Sequence, residues 1–158
     1  MARAGAIVVV AFGGNGLWPR GGTGAAAEQI ANARRACAPL VAELRAGARL
    51  LLVFGNGPQV GAELLLRDAA GPRVGLDVCV AATQGTMGYF LELALRAELA
   101  AAGLTTPVTS VLSLVVVDPA DPAFARPDKP VGPFYDAATA AALHHARGWA
   151  LAEDAGRG

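Results

Sequence analysis

Gly55-Asn56-Gly57 follows directly on the apolar run Leu50-Leu51-Leu52-Val53-Phe54, and Pro58-Gln59-Val60-Gly61 opens what comes next. A short uninterrupted apolar run reads as a buried strand. A strand that ends in glycine and asparagine, with proline at the first helical position, constrains the chain to a β-turn-α unit. Glycine lets such a turn bend freely, and without Cβ atoms a ligand can reach the backbone amides. The device occurs once earlier, as Gly13-Gly14-Asn15 after Ile7-Val8-Val9-Val10-Ala11-Phe12. Two such turns on neighbouring strands imply one site for a small anionic substrate.

The other elements follow the same alternation. A helix is expected over 25–45, with Ile30, Cys37, Val41 and Leu44 spaced for one apolar face and Gly47 ending it. A short helix is expected over 58–66, and a loop over 68–75. A long helix is expected over 76–101, closed by Gly103, with Glu92 and Arg96 as an i,i+4 pair. The run 108–117, ending in Leu114-Val115-Val116-Val117, reads as a third strand. Residues 118–133 hold five prolines and can be neither helix nor central strand; with Phe124, Phe134 and Tyr135 as anchors they read as an ordered excursion or lid. A helix over 136–147 and an apolar piece at 149–151 follow. The order β-α-β-α predicts an α/β domain with a largely parallel sheet.

Composition narrows the function. The 158 residues carry no net charge, and 54% are hydrophobic. A globular core is therefore expected, and the basic field of a nucleic-acid binder is missing. Cys37 and Cys79 have no metal-ligand spacing and read as reduced core thiols. No apolar stretch approaches the ~20 residues of a membrane span, so a soluble, cytoplasmic protein without membrane or nucleic-acid partners is expected.

Neither glycine turn fits the P-loop or the dinucleotide fingerprint. Asn56 and Gln59 offer side-chain donors beside the backbone amides. Among twelve arginines there is one lysine, Lys129, set in Arg126-Pro127-Asp128-Lys129-Pro130. An ammonium braced between prolines suits a phosphoryl clamp acting as a compact point charge. Asp118, Asp121 and Asp128 lack metal-ligand spacing and read as turn caps. His144 and His145, adjacent on a helix, point apart. Thr83-Gln84-Gly85 is either a satisfied kink or a polar face toward the site.

Taken in order along the chain, these segments resemble carbamate kinase of the amino-acid kinase superfamily. The resemblance is carried by Ala11 to Asn15, Gly55 to Gly61, Leu76 to Cys79, Thr83-Gln84-Gly85 with Gly88-Tyr89, Asp121 to Phe124, Lys129 to Tyr135, Trp149, and Glu153 to Gly158. It implies an open, mainly parallel sheet sandwiched by helices, with a protruding lid subdomain. The implied organisation is a substrate-side lobe over 1–117, the lid over 118–148, and the start of a continuation over 149–158.

The implied activity is reversible phosphoryl transfer between ATP and carbamate with Mg²⁺, running from carbamoyl phosphate and ADP to ATP in arginine catabolism. Gly13, Gly14 and Asn15 would hold the transferring phosphoryl group. Gly55, Asn56 and Gly57, with Gln59, would hold the carbamate end, and Lys129 would act in catalysis from the lid. The nucleotide-binding half follows this segment in the family, so ATP/ADP would bind largely outside it, the 158 residues alone are expected not to turn over ATP, and a homodimer is expected of the complete enzyme. Phe54 stands where the family usually has histidine, Gly16 for alanine, and Asp128 for threonine. Two further readings are a non-catalytic fragment or paralogue that binds a carbamoyl phosphate-like anion, and a related amino-acid kinase acting on another small acid.

Overall fold

The two apolar runs pair side by side. In the computed structural model, which describes residues 4–70, 74–127, 129–132 and 135–152, Ile7–Phe12 (β1) and Arg49–Phe54 (β2) form a parallel ladder. Ile7 lies opposite Arg49 and Phe12 opposite Phe54. The parallel pairing agrees with the expected fold class. The chain divides into two units, Met1–Leu112 and Ser113–Gly158.

In the first unit the crossover from β1 to β2 runs through Gly14–Leu17 (α1), Ala26–Cys37 (α2), a 3₁₀ turn at Ala38–Leu40, and Val41–Arg45 (α3). The single helix expected over 25–45 is therefore divided. Pro39 is the cause: it has no N–H to donate back and its ring crowds the preceding turn, so the chain tightens to 3₁₀ there. After β2 come Gly57–Ala70 (α4) and Leu76–Ala101 (α5). The first outruns its expected end at 66; the second has the expected bounds. Gly103, at φ +70°, closes α5. Leu104 N–H donates to Leu99 O at 2.9 Å and Gly103 N–H to Ala100 O at 3.0 Å, the two bonds of a Schellman cap.

Leu17, Ala33, Cys37, Met87, Phe90, Leu91, Ala94, Leu95 and Leu99 form one buried cluster, with Phe12, Ile30, Leu52 and Phe54 packed against it. The core thus lies between α2, α5 and one face of the sheet. Burial pushes the Cys37 thiol up to about 11, with a smaller push from Glu98, so the thiol is protonated and inert at neutral pH. Among the described residues α5 is long and apolar enough to cross a membrane. This corrects the expectation that no apolar stretch approaches that length, which α5 escaped because its few charges are interspersed. Its buried stripe from Cys79 to Leu99 makes it the core helix of this unit.

Two strand expectations are corrected. β1 is not fully buried: Val8, Val10 and Phe12 face the helices, whereas Ile7 and Val9 are 59% and 62% exposed. Registered pairing puts Leu51 and Val53 on that same open face, because within this unit the helices cover only the other side. The third strand expected over 108–117 is absent, and Leu114 and Val116 are 96% and 95% exposed. A β-branched run becomes a strand only where an edge receives it. Residues 108–110 are instead held on α5. Arg96 Nη2 donates to Val108 O at 2.9 Å and Ser110 Oγ to Gly88 O at 3.1 Å.

In the second unit, Asp118 accepts from Ala120 N–H at 2.9 Å and Asp121 from Ala123 N–H at 2.8 Å. Both aspartates cap turns, the latter opening a 3₁₀ turn at Pro122–Phe124. Asp128 and Phe134 lie outside the described residues. Ala137–Arg147 (α6) starts under Asp136, whose Oδ1 accepts from Thr139 N–H at 2.7 Å. That bond holds the Asp136 carboxyl below the usual carboxylate range. Gly148, left-handed at φ +67°, ends α6, and the Arg147 guanidinium lies 5.2 Å over Trp149. The apolar piece at 149–151 forms no strand.

Candidate functional site

Both glycine turns leave the carboxyl ends of parallel strands, which is where open α/β sheets bind ligands. The ladder runs one step beyond β2: Gly55 N–H donates to Phe12 O at 2.9 Å. This bond places the two turns side by side. At the first, Gly13 is extended and α1 begins at Gly14, with Gly16 N–H bonded to Gly13 O at 2.8 Å. At the second, Val60 N–H donates to Asn56 O at 2.9 Å as α4 starts.

The approach between the turns leaves no room for a side chain at Gly14. A Cβ there would lie 2.9 Å from Pro58 Cδ, 2.9 Å from Gln59 Oε1 and 3.1 Å from Gly55 O. Gly13, Gly16 and Gly57 differ: a Cβ on any of them would meet nothing within 4 Å. Gly14 is therefore required by packing, whereas Gly13 and Gly57 border open space. Gly13, Asn15, Gly55 and Gly57 are exposed. No charged residue occurs within 13–16 or 55–59, so what these turns offer an anion is backbone amides and the positive end of α4.

The polar side chains are largely engaged within the protein. Asn56 Nδ2 donates to Thr83 Oγ1 at 2.8 Å, and that hydroxyl donates to Cys79 O at 2.9 Å. Thr83, left open between kink and site by the sequence, is thus the anchor on α5 that orients Asn56. Gln59 is buried; its Nε2 donates to Gly14 O at 3.2 Å and to Gln29 Oε1 at 3.1 Å. Gln29 in turn donates to Gly24 O at 2.8 Å. Gln29 was missed in the sequence, and so was Asn32, which donates to Leu17 O at 2.8 Å. The available signal was two amides three residues apart on the face of α2 that carries Ala33 and Cys37.

The loop between α1 and α2 is braced independently. Thr23 donates from its amide at 2.8 Å and its hydroxyl at 2.5 Å to Glu28 Oε2. These bonds hold the Glu28 carboxyl below its ordinary range. Gly24 lies against the Trp18 ring, where a Cβ would be 2.2 Å from it. The structure brings together Gly13, Gly14, Asn15, Gly55, Asn56, Gly57 and Gln59; Lys129, exposed, belongs to the second unit.

The chain is similar to carbamate kinases over nearly its whole length. The chain is 42% identical over 156 residues to the carbamate kinase of Pyrococcus horikoshii and 46% identical over 155 residues to carbamate kinase 1 of Enterococcus faecium, each alignment covering 96% of the chain. The stretch it aligns with is the N-terminal part of these carbamate kinases. It spans about half the length of the curated relatives it matches, 50% and 49% in these two cases. Carbamate kinase from Giardia lamblia bound to citric acid superposes with a TM-score of 0.91 at 38% identity, covering 98% of this chain and 51% of that one. The same enzyme bound to AMP-PNP gives 0.76 at 36% identity, over 98% of this chain and 50% of that one. At these identities the likeness extends to sequence and fold together, and the chain has the α/β fold of the matching half of those enzymes. No family model matches it.

Proposed function

We propose that this chain forms the substrate side of a carbamate kinase, which transfers a phosphoryl group reversibly between ATP and carbamate. The observation that carries the reading is the Gly55 N–H to Phe12 O bond at 2.9 Å, which brings two amide-lined turns together at the strand ends. The transferring phosphoryl group lies at Gly13, Gly14 and Asn15, and the carbamate end at Gly55, Asn56 and Gly57. Phosphoryl transfer asks mostly for positioning and charge neutralisation, and neutral amides provide the positioning. Lys129, carried by the lid over 118–148, provides the charge.

The donors at the turns are amides and glycines, which suit phosphoryl and carboxylate oxygens and offer no carboxylate for a hard cation. Mg²⁺ therefore comes with the nucleotide, whose phosphates are its usual ligands. The carbamate kinase solved with AMP-PNP supports nucleotide use, and the proposal extends to a homodimeric, cytoplasmic enzyme that makes ATP from carbamoyl phosphate and ADP in arginine catabolism.

Asn15 tests the reading well, because it is exposed and aspartate has its shape. In calorimetric titration the wild-type chain is expected to bind carbamoyl phosphate one to one. Asn15→Asp should weaken binding by more than about tenfold, the cost of a like charge against the ligand. Equal affinities would place the anion elsewhere.

A further inference from the structure

We infer that Gln29 and Gln59 are positioning residues: together they fix the distance between the two ligand-binding turns without touching ligand themselves. This rests on the reading of those turns as a substrate site. Gln59 was expected to present a donor to the substrate. The structure uses both of its amide protons internally, one on Gly14 O and one on Gln29 Oε1. Gln29 adds the next link, its own Nε2 donating to Gly24 O. The relay thus begins at the first turn, passes through α4 and α2, and ends at the loop that leads into α2.

Its direction is unambiguous. A main-chain carbonyl can only accept, so Gly24 O requires the amino end of Gln29, which leaves Gln29 Oε1 to receive Gln59. Gly14 O requires the amino end of Gln59 in the same way. Reversing either amide would set oxygen against oxygen. Both residues are buried, at 6% and 7% exposure, where such bonds are not competed for by water.

The orientation also has a cost. Gln59 Oε1 is buried and has no hydrogen-bond partner among the described residues. A fold optimising this side chain for itself would not leave a buried acceptor empty. Placing both protons on Gly14 and Gln29 is what the arrangement achieves. Gly14 has no room for a Cβ because Gln59 and Pro58 press against it, so the relay sets how near the first turn lies to the second. Gln29 is far from both turns in sequence and acts on them through Gln59.

The test uses Gln29→Met, Gln59→Met and the double variant, since methionine keeps the length and helix preference of glutamine but cannot form the bonds. Amide hydrogen exchange is measured at 13–16 and 55–57, and carbamoyl phosphate affinity is measured well below the melting temperature. Each single variant is expected to speed exchange in both turns and weaken binding about tenfold, the scale of one lost buried constraint. The double variant should be no worse than the worse single. A lower melting temperature with unchanged affinity and unchanged exchange at the turns would reduce the pair to packing and overturn the inference. If wild type binds no carbamoyl phosphate, the substrate reading fails, and exchange at the two turns still decides the inference. Should a variant fail to fold, the Nε2 protons of wild-type Gln29 and Gln59 decide it. Slow exchange of both supports the relay, and fast exchange of either refutes it.

Discussion

Alanine at position 14 is expected to destabilise the chain by about 1–3 kcal/mol and to abolish measurable anion binding. Gly14 lies in α1, so alanine brings a gain of up to ~1 kcal/mol in helix preference. Against that, its Cβ would stand 2.9 Å from Pro58 Cδ and 3.1 Å from Gly55 O. Neither neighbour is the free end of a side chain: one is a ring fused to the backbone, the other a carbonyl. The turns must separate, and overpacking of this kind, with the Gln59 bond to Gly14 O lost, costs about 2–4 kcal/mol. The clash therefore wins. Gly16→Ala is the internal control, since a Cβ there meets nothing within 4 Å; it should be neutral or slightly stabilising. Denaturant midpoints for the two variants check this. A shift of the same sign and size in both would mean that contact between the turns is not what requires glycine at 14.

The second large effect concerns chemistry. In an active carbamate kinase carrying this segment, Lys129→Ala is expected to lower kcat by about 10²–10³, the scale of losing one preorganised donor of positive charge. Lys129→Arg should recover only part of this, because a planar fork does not replace a compact ammonium. Steady-state rates with carbamoyl phosphate and ADP provide the comparison. The split matters: a change confined to KM would make Lys129 a ground-state contact, and a change in kcat below threefold would remove it from the mechanism. Lys129 is exposed, so stability should not change and the kinetic effect can be read cleanly.

The sequence revealed those parts of the fold that depend on local pattern. β1, β2 and α5 are bounded by glycine or by a change of apolar period, and their limits could be read directly. The paired turns were visible for the same reason, since glycine at a strand end is a statement about the backbone. What was hidden depends on contacts distant in sequence. Residues 108–117 have the composition of a strand, but composition cannot say whether an edge receives them, and here Arg96 and Ser110 bind the start of the run to α5 instead. Gln29 looked like any polar residue on a helix, because its partner is thirty residues away. Gln59 was read as a donor to the substrate, and the fold directs its amide protons inward, onto Gly14 and Gln29.

The open face of the sheet is the other feature that pattern alone concealed. A run of Ile, Val and Val suggested burial on both sides. Burial on both sides needs helices on both sides, and in this unit the crossover from β1 to β2 and the helices after it pack on one.

The proposed function requires the two turns to act as one anion site, and an amide-shift titration of the isotope-labelled chain with carbamoyl phosphate tests this most directly. The amides of Gly13 to Gly16 and of Gly55 to Gly57 are expected to shift together along a single saturation curve, with those of α6 unmoved. Shifts in one turn only, or two curves with different midpoints, would contradict a shared site.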